Sequence, residues 1–217
     1  MTASDTAFQT WNETWATDEG QAAWSVPDPE VVDVGNLLRR GGARTAADIG
    51  AGLGRHALAL ARLGFDVDAL DASETGLARI AATASEENLA VRTHLGKMDV
   101  LPFPDAGFDL LVSYNVIYHG APDVVARTLG EIRRVLKPGG VLVLTMLSKR
   151  NLHFGHGEEI APNTFVVADA LDDKIHPHFY CNAAELVALL DGFEVRMLHD
   201  REQKPGHWHW HVIAERI

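Results

Sequence analysis

Five short strand-like runs fall between residues 46 and 146, and helical stretches separate most of them. The runs are 46–49, 65–70, 91–95, 108–113 and 141–146; the helical segments are 55–63, 74–85 and 123–136. Phe108-Asp109-Leu110-Leu111-Val112-Ser113 is nearly all apolar, as a strand buried on both faces requires. Lys137-Pro138-Gly139-Gly140 predicts a helix stop and a turn. Strands separated by helices of this length predict a doubly wound α/β sheet, mostly parallel, with right-handed crossovers.

The rhythm stops after the fifth run. Residues 148–181 are polar, Gly- and His-containing and without period, too long for a plain connector, which predicts a lid or substrate loop. A helix over 182–190 follows, then runs at 193–198 and 208–214 joined near Lys204-Pro205-Gly206, which predicts a terminal antiparallel pair and seven strands in all. Ahead of the first strand, Trp11, Trp15, Trp24, Pro27, Pro29 and an apolar-patterned stretch from Val31 to Leu38 predict a helical cap. The expected organisation is a single domain: a cap over 1–44, a cofactor-binding core over 45–147, a lid over 148–181, and a terminal helix with strands over 182–217.

Composition narrows the function. A length of 217 residues suits one α/β domain. The formal net charge is −11 and Lys and Arg form no cluster, which argues against nucleic acid and anionic membranes as partners. A single cysteine, Cys181, excludes an internal disulfide framework and fits a reducing compartment. Met1 to Thr6 lack a basic start followed by an apolar core, and no apolar run approaches the ~20 residues of a membrane span, so the expected location is the cytoplasm.

The chemistry-bearing constellation is Asp48-Ile49-Gly50-Ala51-Gly52-Leu53-Gly54-Arg55, placed where the first strand turns into a helix. Glycines there let backbone lie against a ligand, and the helix start presents free N–H groups to a carboxylate or phosphate. Gly52 to Ala57 also satisfies the dinucleotide fingerprint, and Asp71, ending the second run, suits the ribose of a nicotinamide cofactor as well as that of S-adenosylmethionine.

Asp99, in Gly96-Lys97-Met98-Asp99-Val100-Leu101-Pro102-Phe103, separates the two. With Asp48 to Gly54, Asp71, Phe108 to Val112 and Arg133 to Gly140, it completes an ordered set that resembles the motifs of class I S-adenosylmethionine-dependent methyltransferases. The resemblance runs from about residue 45 to 147. It implies that S-adenosylmethionine is the cofactor and S-adenosylhomocysteine the product. It also implies that Gly50, Ala51, Gly52 and Gly54 lie along the methionine portion, Asp71 and Ala72 at the ribose, and Asp99 at the adenine amino group, with Met98 and Val100 sandwiching the base. Asp48, Arg55, Asn115 and Trp24 join this cofactor set. The Gly-x-Gly-Arg loop and the short chain are similar to the tellurite-resistance and thiol methyltransferases, which makes a small thiol, chalcogen or metalloid nucleophile the expected acceptor.

Methyl transfer asks chiefly for in-line placement and exclusion of water. Tyr114, Tyr118 and His119, just past the fourth strand, are the catalytic candidates, with His119 the base if one is needed. Ser148 to Asn151 sit where substrate contacts are expected. Late histidines are dense: His176, His178 and Cys181 could supply metal ligands, though at no standard spacing, and His207, His209 and His211 share one strand face. The alternatives are a nicotinamide-dependent oxidoreductase and a metal-assisted or non-catalytic module built on those histidines.

Overall fold

The computed structural model describes residues 7–17, 21–22 and 24–217; the leader reading of Met1 to Thr6 lies outside them. Helix α1 (Ala7–Trp15) and helix α2 (Pro29–Arg40) precede the sheet. The alternation then runs β1 (Thr45–Ile49), α3 (Arg55–Arg62), β2 (Asp66–Asp71), α4 (Glu74–Glu86), β3 (Val91–Leu95), β4 (Phe108–Ser113), α5 (Pro122–Val135) and β5 (Leu136–Ser148). Short strands β6 (Glu158–Ala161), β7 (Thr164–Val166) and β8 (His178–Cys181) follow, then helix α6 (Ala183–Leu189), β9 (Phe193–Lys204) and β10 (His207–Arg216).

The principal sheet has the order β3-β2-β1-β4-β5-β10-β9, parallel through β5 and antiparallel beyond it. These are the seven expected strands with their terminal antiparallel pair. One face is covered by an apolar layer that includes Val31 of α2, Leu58 and Leu60 of α3 and Leu77 and Ile80 of α4. The other carries Val125, Leu129 and Ile132 of α5 and Leu186 of α6. Central strands buried on both faces explain the near-continuous apolar runs.

Register places the site. Ile49 pairs with Leu70, so the loop leaving β1 lies beside the end of β2, and the Gly50 and Ala51 N–H groups donate to the Leu70 carbonyl at 2.8 and 3.0 Å. Asp48 also pairs with Val112, which brings the end of β4 to the same edge.

Two expectations change in detail. Strand β5 begins at Leu136, paired with Phe108, and resumes with Val141 opposite Leu110, so residues 137–140 loop out of a strand already begun. Residues 148–181 are not featureless. Strand β8 pairs in parallel with Leu147 and Ser148, where β5 outlasts its partner β4, and β7 and β6 add to it antiparallel. These strands have three or four residues each, and β6 is mostly exposed, so no alternation marks them. On β10, His209 and His211 share one buried face, and Trp210 lies on the other with Val212 and Ala214, packed against the core. Trp210 donates Nε1–H to the Cys181 carbonyl, and the Arg150 guanidinium lies 3.4 Å over the Trp208 ring. Among the described residues, no helix is long and apolar enough to cross a membrane.

Candidate active site

The glycine loop is built by exclusion. Gly50 has φ +71°, and a Cβ there would lie 2.3 Å from Val116; Gly52 has φ +56°, and a Cβ there would meet the Trp15 ring at 2.9 Å. Only glycine combines that backbone with that closeness. Asp71 fastens the loop: one carboxylate oxygen accepts from Gly52 N–H and the other from Ser73 N–H, each at 2.8 Å. Burial raises the Asp71 pKa against these backbone donors. Asp48 lies behind the loop, where its carboxylate accepts from Ala57 N–H at 3.0 Å, and burial pushes it up to about 7.

A cleft partly open to solvent lies over this loop. It brings together Gly50, Ala51, Gly52, Arg55, Asp71, Ala72, Met98, Tyr114, Asn115, His119 and Trp24 from the sequence-derived set. Asp48, Gly54, Asp99, Val100 and Tyr118 are not in its lining. Asp99 faces the Arg127 guanidinium at 3.2 Å, and Val100 is 70% exposed. The neighbouring Gly96 and Lys97 line the cleft along with Met98. Tyr118 is buried against His119, with ring centroids 4.5 Å apart.

Helix α1 forms a wall that motif reading did not assign in full. Phe8, Trp11 and Trp15 stand three and four residues apart on one face and line the cleft with Ala7. Trp11 and Trp24 meet edge-on at 5.1 Å, and the Arg55 guanidinium lies 5.1 Å from the Trp24 ring centroid and 5.4 Å from that of Tyr114. All three N-terminal tryptophans reach the cleft, and Trp15 is also core. His56, which lines the cleft and was not assigned from the motifs, accepts from Asp28 N–H through Nε2, and burial lowers its pKa to about 3.

Tyr114 donates its hydroxyl to Asp28 Oδ2 at 2.5 Å, and Arg201 reaches the same oxygen at 3.2 Å. Burial and the Asp28 charge raise the Tyr114 pKa, so the phenol keeps its proton and serves as a brace. His119 is held at both ring nitrogens, Nδ1 by the Val116 carbonyl at 3.0 Å and Nε2 by Asp173 Oδ2 at 3.2 Å. Asp173 belongs to a short helical turn (Asp173–Ile175) and also faces His178 and Lys174. Cys181 is fully buried and turned to the Leu147 carbonyl, and His176 contacts Thr10, so neither stands with His178 in a ligand set.

Other residues of the ordered motifs hold the frame. Lys137 pairs with Asp109 at 2.7 Å, and Asp109 also accepts from the Arg44 and Thr45 N–H groups. Burial would raise Asp109, but these donors bring it to about 2. Arg134 ties the 101–105 loop to α5 through Glu131, Asp105 and the Leu101 and Phe103 carbonyls.

Residues 46–140 match the protein family described as "Methyltransferase domain". The chain is 36% identical over 107 residues to a ubiquinone biosynthesis O-methyltransferase of Caulobacter vibrioides, covering 48% of this chain and 41% of that one. It is 30% identical over 181 residues to a probable S-adenosylmethionine-dependent methyltransferase of Mycolicibacterium smegmatis, covering 82% of this chain and 61% of that one. Over residues 46–140 the chain is thus similar to a methyltransferase family, and relatives that it matches over part of their length are named as methyltransferases, one of them S-adenosylmethionine-dependent.

It spans less than two thirds of the length of these relatives. In fold it is similar to the 1,6-didemethyltoxoflavin-N1-methyltransferase of Burkholderia thailandensis, solved with 1,6-didemethyltoxoflavin and S-adenosylhomocysteine, at a TM-score of 0.69 and 19% identity over 97% of this chain and 88% of that one. The match over residues 46–140 favours the methyltransferase reading over the nicotinamide one. The residues present fit the methyltransferase cofactor. Asp71 offers a buried carboxylate at the cleft wall, Arg55 offers a guanidinium, and the glycine loop leaves backbone bare. Trp15 Nε1, buried at the same wall, has no hydrogen-bond partner among the described residues.

Proposed function

We propose that this methyltransferase moves the methyl group of S-adenosylmethionine to a small-molecule acceptor whose nucleophile is a hydroxyl, thiol or chalcogen. The observation that carries the reading is one cleft joining the glycine loop and Asp71 to Tyr114, Asn115 and His119. When bound, the cofactor supplies an electrophilic methyl on a sulfonium. Asp71 would hold the ribose, Arg55 the carboxylate, and Met98 would pack on the base. Trp11, Trp15 and Trp24 would exclude water and face the sulfonium charge with their rings. The Tyr114–Asp28–Arg201 brace fixes the far wall, so catalysis rests on placement more than on proton transfer.

The relatives named for ubiquinone biosynthesis O-methylation support an oxygen acceptor, and the loop resemblance supports a thiol or chalcogen. Residues 148–181 are the proposed lid, because the Asp173 turn and α1 pack together beside the cleft. The net charge of −11 supports a small, non-nucleic-acid acceptor, and the single cysteine supports a cytoplasmic setting.

The test is S-adenosylhomocysteine formation by mass spectrometry against a panel of small thiols, selenide, catechols and phenols. Turnover with one panel class, lost in Asp71→Ala, is expected. Turnover confined to protein or RNA substrates would contradict the small-molecule reading.

A further inference from the structure

Three ligand atoms converge at the edge of the cleft. His119 Nε2 lies 3.2 Å and His178 Nε2 3.5 Å from the same Asp173 oxygen, and the three atoms all fall within 4.8 Å of one another. Metal–ligand bonds of about 2.0–2.2 Å in a tetrahedron put neighbouring ligand atoms about 3.3 Å apart, which the two contacts to Asp173 approach.

The outer contacts match as well. His119 Nδ1 faces the Val116 carbonyl at 3.0 Å, and His178 Nδ1 faces the His176 carbonyl at 2.8 Å. A carbonyl can only accept, so each Nδ1 carries the hydrogen. In the neutral tautomer, both Nε2 lone pairs then point at an ionised carboxylate. A positive charge must then lie between them, as a second ring proton or as a bound cation. Metal-binding histidines are oriented by this same kind of outer hydrogen bond. The Lys174 ammonium supplies part of that charge, 2.9 Å from Asp173 Oδ1 and 3.3 Å from His178 Nε2.

We infer that His119, Asp173 and His178 form a three-ligand site for a divalent transition ion of the zinc type, with a fourth position open. Two nitrogens and one oxygen favour such an ion over calcium or magnesium, which prefer oxygen sets. Lys174 is the competing internal cation, displaced from His178 when the ion enters. His119 belongs to both the site and the cleft wall, so the open position adjoins the space left for an acceptor. An acceptor hydroxyl or thiol bound there would release its proton to solvent; this last consequence rests on the methyl-transfer reading, whereas ion binding does not.

The experiment titrates untagged protein with zinc chloride, counts bound metal, and records the visible spectrum of the cobalt(II)-loaded form. The expected result is one ion per chain with cobalt bands of a low-coordinate site. Asp173→Asn and His178→Gln are expected to weaken binding at least about 100-fold, with S-adenosylhomocysteine affinity kept as the control for folding. Lys174→Met is expected to tighten the ion. Should His178→Gln fail to fold, Asp173→Asn decides alone. Absence of stoichiometric metal, or metal held equally by Asp173→Asn, would overturn the site. Loss of S-adenosylhomocysteine binding by the wild type would instead strike the methyltransferase reading.

Discussion

Tyr114 shows how a residue chosen for chemistry can turn out to hold the site in shape. Its hydroxyl is given to Asp28, which also caps α2 by accepting from Glu30 N–H and faces Arg201. Tyr114→Phe keeps the ring and removes the donor. The expected cost is about 1.5–3 kcal/mol in urea unfolding, because a buried carboxylate loses a charge-assisted bond. Asp99 makes the complementary point. Its spacing after β3 is legible in sequence, but the direction of its side chain is not, since that depends on the long-range Arg127 partner. Asp71 was readable because pairing of β1 with β2 forces the end of one strand against the loop of the other.

At the scale of elements, β1 to β4 were legible to within a residue, helped by burial on both faces of the central strands, which writes continuous apolar runs. Strands β6, β7 and β8 were not, being short and paired only through residues far away in sequence. The glycine loop is where element geometry is least forgiving. Gly50→Ala forces a methyl group to 2.3 Å from Val116 at φ +71°. It should lower the unfolding free energy by about 2 kcal/mol or more and weaken cofactor binding. Helix α1 predicts an optical signal: Trp11 and Trp15 line the cleft, so S-adenosylhomocysteine should change tryptophan fluorescence, and Trp11→Phe should remove much of the change. An unchanged spectrum on saturation would place the ligand elsewhere.

For the whole molecule, buried titratable groups set how stability depends on pH. Burial lowers His56 to about 3 and His209 to about 4, against an ordinary 6.5. The unfolded chain takes up protons at these positions below 6.5 while the folded chain does not. Their contribution is therefore complete above 6.5 and lost as pH falls toward 4. Asp48 acts in the opposite sense. With its folded value near 7 against 3.8, it favours the folded state at low pH and loses that contribution as pH rises through 7. Two histidines outweigh one aspartate at about 1.4 kcal/mol per unit, so the urea midpoint should fall between pH 7 and pH 4.5. Asp48→Asn should be more stable than wild type at pH 8, by a few kcal/mol at about 1.4 kcal/mol per unit, and little different at pH 4.5. A midpoint that rises on acidification would contradict this assignment.

The claim on which the rest depends is that the loop between β1 and α3, with Asp71, binds S-adenosylmethionine. Calorimetric titration of S-adenosylhomocysteine into the wild type, Asp71→Ala and Asp99→Ala tests it directly, with NADH as the paired ligand. The account predicts one site of about micromolar affinity, lost in Asp71→Ala, nearly unchanged in Asp99→Ala, and no heat with NADH. Equal binding by the Asp71→Ala protein, or binding of NADH in place of S-adenosylhomocysteine, would contradict it.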